Sequence, residues 1–364
     1  MDHTPGRAGT GTATILRALL ATVLGGDAGA ELEATVAVDP VVAVPVDAGV
    51  LDVDSLEVPR ATLAQALALV LFEDLCRHVP SAAAYAADRR AAGERIVLDH
   101  GAVRTIEAPG GSLPGGQELV ARLLRPLGFE QRGTYDLAAL RMTGRSWAQV
   151  DHPELVPQWF VSELHADRLS PDVQAAVAGL LATATDALTS DDHALLGRLG
   201  EDRSLPFPSA AALLPALARC FSRRHHEPTD RDHDLFARES AELAWISTEG
   251  TTANHWTDRV GDVVAAAEAE RAAGRPIKDT IEVSTSGRVR QTAHRAAPVD
   301  RRFHTVEGDA VVRVVPGSFF ELIDRAPLPD GSGLDLGFDA ANATGIFAMT
   351  RPPGTGPAAR GERP

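Results

Sequence analysis

Ile96-Val97-Leu98-Asp99-His100-Gly101-Ala102-Val103-Arg104-Thr105-Ile106 is an apolar, β-branched run in which a histidine and an arginine stand where further apolar residues are expected. Such a run reads as a buried strand. Side chains alternate along a strand, so His100, Ala102 and Arg104 share one face, and Asp99, Gly101, Val103 and Thr105 share the other. The small Ala102 leaves open space between the two polar groups. An imidazole and a guanidinium flanking a gap suit a metal ion and the carboxylate of an anionic ligand beside it. The same residues also fit a structural role, with the histidine bonded to backbone and the arginine paired with a core carboxylate.

Outward from this strand, composition narrows the class. A chain of 364 residues can bury a sizeable core without disulfides. The two cysteines, Cys76 and Cys220, lie in apolar, helical-looking segments and read as reduced, buried thiols. The formal net charge is -15, from 50 acidic and 35 basic residues, and no basic block with interleaved aromatics occurs. A nucleic-acid partner is therefore not expected, and an anionic substrate would have to be drawn in by a buried arginine. The apolar run Ile15 to Leu24 is interrupted by Arg17 and is too short to span a bilayer. It reads as a short amphipathic helix rather than a signal peptide, so no membrane partner and a cytoplasmic location are expected.

Taken in order, 1–90 reads as mainly helical, with the Val-, Asp- and Pro-rich stretch from Ala34 to Val58 irregular or extended. The segment 91–168 carries the His100 strand, a Gly-rich loop, a helix from Gln117 to Leu127 and three short strands. An alanine-rich helical insertion follows over 169–245, with Pro206-Phe207-Pro208 as a break between helices. The segment 246–325 then repeats the order of 91–168: His255, a helix from Val260 to Ala273, strands at Ile277 to Ser284 and Arg288 to His294, and a long strand pattern from Ala310 to Ile323. A tail spans 326–364. Two like modules of unlike sequence are the expectation.

The closing strand pattern holds one acid, Glu321, among aromatics and aliphatics. A lone buried carboxylate is costly, so Glu321 needs a cation or strong donors. With His100 and His255 it makes a two-histidine, one-carboxylate set, the ligand type that leaves positions open on non-haem Fe(II). Pairing of Glu321 with Arg313 or Arg325 is the alternative. Gln291 and His294 lie on a strand that can line a pocket. Asp232-His233-Asp234 and Asp191-Asp192-His193 read as helix starts, where Asp serves as a cap. The Gly-rich runs lack the pattern of a phosphate loop, so no nucleotide cofactor is expected.

Leu98 to Thr105, Trp159 to Leu164, Asn254-His255-Trp256-Thr257, Val315 to Leu322 and Asn342 to Phe347 together resemble the 2-oxoadipate dioxygenase/decarboxylase (hydroxyglutarate synthase) family. The resemblance runs from about Phe72 to Phe347. It implies an α+β fold of the vicinal-oxygen-chelate type, with paired βαβββ modules forming a curved, mostly antiparallel sheet around a metal site and with extensive helical additions. It further implies Fe(II) held by His100, His255 and Glu321, with Arg104 as the catalytic residue holding a substrate carboxylate; Gln291 and His294, read from their own strand, are the further substrate-site candidates. The implied reaction converts a 2-oxo dicarboxylic acid, 2-oxoadipate, with O₂ to 2-hydroxyglutarate and CO₂. Two other classes stay open: a non-oxidative metal-dependent lyase or isomerase on the same scaffold, and a small-molecule binding protein.

Overall fold

The computed structural model describes residues 13–46, 52–108, 111–305, 307–340, 345 and 347–350. The strands are β1 (Glu57–Pro59), β2 (Leu98–Glu107), β3 (Phe129–Leu137), β4 (Met142–Gln149), β5 (Gln158–His165), β6 (Ser204–Pro206), β7 (His255–Arg259), β8 (Glu282–Val283), β9 (Val289–Ala293), β10 (Pro298–His304), β11 (Ala310–Pro316) and β12 (Phe319–Arg325). Eight of them form one curled sheet in the order β3-β4-β5-β2-β7-β12-β9-β8. Within it only β2 with β5 and β7 with β12 run parallel.

This order is two copies of one module. In the first, β2 leads through helix Glu118–Leu124 to β3, β4 and β5, and β5 returns parallel beside β2. In the second, β7 leads through helix Val263–Ala272 to β8, β9 and β12, and β12 returns parallel beside β7. The modules join where β2 and β7 pair antiparallel. The fold is therefore α+β with paired βαβββ modules, as the sequence suggested.

Helices cover the convex face. Helix Arg60–His78 is buried on every side from Ala61 to Phe72, which explains why its sequence lacks a polar stripe. Phe72 and Tyr85 pack against Phe320 of β12, with ring centroids 6.1 and 5.1 Å apart. The seam between modules is filled by Trp159 against Trp256, at 5.1 Å. Rings of this size dominate core energetics, at about 1.5–3 kcal/mol for a large buried apolar side chain.

The stretch from Ala34 to Val58 is irregular or extended apart from the last two residues of helix Gly26–Thr35 and single turns over Pro40–Ala43, capped by Asp39, and Val53–Ser55; 47–51 lie outside the described residues. Two local expectations are corrected. Pro206-Phe207-Pro208 is not a break between helices. It ends β6, which pairs with β1, and starts helix Phe207–Cys220, where a proline in the first turn lacks no needed N–H. The long strand from Ala310 to Ile323 is two strands in different sheets. At Gly317-Ser318 the chain leaves the β10–β11 hairpin and enters the main sheet as β12.

Candidate metal centre

His100 and His255 stand at the start of corresponding strands and meet across the module seam. In the β2–β7 ladder His100 lies opposite Thr257, and His255 opposite Ala102. Their Nε2 atoms are 3.3 Å apart. Glu321, opposite Thr257 on β12, brings Oε2 to 3.2 Å from His255 Nε2. All three side chains are buried, and among the described residues both carboxylate oxygens of Glu321 lack a hydrogen-bond partner.

A buried acid with two orphaned oxygens facing two imidazole nitrogens fits a cation. Donors about 2.1 Å from a common ion and at right angles to each other lie about 3 Å apart, which matches these spacings. Burial pushes both imidazoles below their ordinary range, His255 far below with repulsion from His100 and Arg104 added, so both are in the neutral, metal-binding form. Burial pushes Glu321 up to about 8, with Lys278 pulling it back down and Glu282 adding to the rise. A cation would hold its charged form. Arg325 and Arg313, the other partners considered for Glu321, are engaged elsewhere, with Asp99 and with Asp230 and Asp234.

The ligands are themselves held. Asp99 Oδ1 lies 2.8 Å from His100 Nδ1, and Arg325 grips Asp99 through Nε and Nη2, each at 2.8 Å. Burial opposes the charge on Asp99, but Arg325 and the His100 contact outweigh it and hold the carboxyl well below the usual range. Strict alternation put Asp99 on the face opposite His100. The β2–β7 register shifts between Leu98 and His100, and this β-bulge turns both side chains to the same side. Asn254 Nδ2 lies 2.9 Å from His255 Nδ1, and Nε2 faces the centre; with a cation at Nε2, the Nδ1–H would donate to the other end of that amide, Oδ1, which has no other partner among the described residues. An acid directly before a site histidine was the available signal for Asp99. Nothing in spacing alone pointed to Arg325, 226 residues away.

Module symmetry explains why three candidate ligands converge among the described residues. Glu321 lies opposite the second residue after His255 on its parallel neighbour, and the equivalent place in the first module is Phe160, opposite Ala102. A phenyl ring thus stands where a fourth ligand would be.

Arg104, two residues beyond Ala102 on β2, is buried. Its Nη1 donates to Thr350 Oγ1 at 2.9 Å, and its guanidinium lies 4.9 Å from the Trp245 ring and 4.6 Å from that of Phe347. Ser162, Gln291, Phe160 and Phe338 join it around a cavity of about 30 Å³ beside the three ligands. Phe338 meets the His100 ring edge-on at 4.9 Å. Gln291 is therefore at the site. His294 is not: one residue out of phase with Ala293, it points to the other face, where Nε2 meets Glu270 at 2.9 Å and Nδ1 faces the Phe320 carbonyl at 3.2 Å. Residues 342–344 and 346 of the Asn342 to Phe347 segment lie outside the described residues. A second group, Glu107, Glu163 and His165, also clusters, but Arg145, the Gln117 N–H and Thr143 already satisfy it.

Solved structures place this architecture among known proteins. A glyoxalase-superfamily protein from Ralstonia eutropha JMP134 is 43% identical over 89% of this chain and 98% of its own, with a TM-score of 0.83. The hydroxyglutarate synthase of Oryza sativa in complex with 2-oxoadipate shares the fold at 20% identity and TM-score 0.61, covering 84% and 96% of the two chains. That of Pseudomonas putida, also in complex with 2-oxoadipate, does so at 21% and 0.51, covering 82% and 74%. Among curated proteins, none matches the chain. The sequence model of 2-oxoadipate dioxygenase/decarboxylase matches residues 58–334, a span that takes in both histidines, the bulged aspartate, the arginine that grips it and the buried acid. This chain belongs to the 2-oxoadipate dioxygenase/decarboxylase family.

Proposed function

We propose that this chain is an Fe(II)-dependent dioxygenase/decarboxylase that converts 2-oxoadipate and O₂ into 2-hydroxyglutarate and CO₂. The observation that carries the reading is the buried Arg104 guanidinium on the same strand face as a three-donor metal set, in a pocket walled by Phe160, Phe338 and Phe347 together with the polar Ser162, Asn254, Gln291 and Asp339. His100, His255 and Glu321 would hold the ion, and an iron(II) bound by two imidazoles and a carboxylate supplies open positions and the electrons that activate O₂. The carboxyl carbon next to the oxo group leaves as CO₂; one oxygen of O₂ joins the new carboxylate and the other becomes the 2-hydroxyl.

Arg104 forms a charge-assisted, planar pair with a substrate carboxylate and fixes the chain's direction relative to the metal. Trp245 and Phe347, with ring centroids 4.9 and 4.6 Å from the guanidinium, hold it in place and keep water from competing for its donors. Ser162 and Gln291 offer hydroxyl and amide groups to the rest of the molecule. Phe160 keeps the first-module side of the centre free of a fourth protein ligand.

Product analysis with a panel of 2-oxo acids under Fe(II), with oxygen uptake recorded, tests the proposal. Consumption of one O₂ per 2-oxoadipate and formation of 2-hydroxyglutarate are expected. Turnover that persists without O₂ would point to lyase or isomerase chemistry, and tight binding without turnover to a binding protein.

A further inference from the structure

A cavity of about 850 Å³ lies next to the metal pocket rather than in it. Arginines ring it. Arg238 and Arg295 are exposed there and pair with no carboxylate among the described residues, while Arg141 reaches only the Glu239 carbonyl, at 3.1 Å. Arg313 is engaged by Asp234, and the Glu239 carboxylate accepts from the Ser170 N–H at 3.0 Å. In a chain of net charge -15 this is a local positive basin. A cleft with an excess of one sign of charge raises the local concentration and association rate of the opposite ion, by roughly 10- to 1000-fold where that sign dominates.

Only one layer separates this basin from Arg104. Trp245 and Thr350 line the large cavity and are also the groups that cover and accept from the Arg104 guanidinium. As it stands the inner pocket, at about 30 Å³, has room for about one water, so a six-carbon diacid is seated there only when the layer between the two spaces moves aside. We propose that the large cavity is an antechamber for the dianionic substrate: Arg238 and Arg295 draw it in, and its carboxylate displaces Thr350 from Arg104 as it passes the layer. The identity of the dianion rests on the function proposed above; the route does not.

The test follows the association of a probe with cobalt(II)-loaded protein through the visible spectrum of the metal. Pyridine-2,6-dicarboxylate is a dianion, and 2,2′-bipyridine is a neutral ligand of similar shape. In Arg238→Glu/Arg295→Glu, whose altered side chains are exposed and unpaired, the association rate of the dianion should fall at least tenfold relative to that of bipyridine. Its dependence on salt should flatten as well. Thr350→Val should speed association of the dianion. An unchanged ratio of the two rates and an unchanged salt dependence in the double variant would overturn the antechamber. If 2-oxoadipate is not turned over yet the ratio falls, the route stands and the proposed reaction does not; if it is turned over and the ratio is unchanged, the reaction stands and the route does not.

Discussion

Asp99 does at the residue scale what the metal donors cannot do for themselves. It accepts from His100 on one side and is held by two guanidinium donors on the other, so the imidazole is fixed in one tautomer and one plane. Asp99→Asn keeps the shape but removes the charge that Arg325 is paired with. Metal affinity, measured by competition with a chelator, should fall by about 10- to 100-fold. Arg104→Lys is the opposite case. The lysine keeps charge but not the planar fork, so the metal should stay bound at wild-type affinity while kcat/KM on 2-oxoadipate falls roughly a hundredfold, or a few kcal/mol. The cysteines should be inert. Burial pushes Cys76 up to about 12 and Cys220 up to about 11, so both folded thiols stay protonated at pH 8, where a free thiol is already partly ionised. A colorimetric thiol reagent at pH 8 should label neither until denaturant is added, and should then label both.

At the scale of elements, the bulge in β2 and the close approach of β2 to β7 place the donors. A Cβ on Gly101 would lie 2.9 Å from the Trp256 indole, which is fully buried at the module seam next to His255. Gly101→Ala should therefore cost about 1–3 kcal/mol in denaturant unfolding and weaken metal binding as well, because His100 and His255 flank the displaced pair. Phe160→Glu completes the module symmetry. The acid would stand opposite Ala102 as Glu321 stands opposite Thr257, so the variant should bind divalent metal more tightly in calorimetry yet lose oxygen uptake, one open position having been filled.

For the whole molecule, a metal at this site would join modules whose donors come from both halves of the chain. By holding β2, β7 and β12 together at one point, it would bind the folded state alone. At free metal a hundredfold above its Kd, the holoprotein should be about 2.7 kcal/mol more stable than the apoprotein, seen as a melting point several degrees higher. Glu321→Gln should abolish this dependence on metal. Among the described residues no helix is long and apolar enough to cross a membrane.

The sequence by itself determined that His100 and Arg104 share a strand face, that Glu321 is a lone acid in an apolar strand, and that one strand-helix-strand order occurs twice; that His100, His255 and Glu321 form one set came only from the family resemblance. The first three were legible because they are local: a period of two, a polar residue inside an apolar run, a repeated succession of elements. Only the tertiary structure decided which polar neighbours serve the site. Asp99 reached His100 through a bulge that alternation cannot foresee, Arg325 reached Asp99 across 226 residues, and His294 turned to the opposite face to meet Glu270. Register between distant strands is set by the packing of both sheet faces at once, and one residue of phase moves a side chain from the pocket to the core behind it.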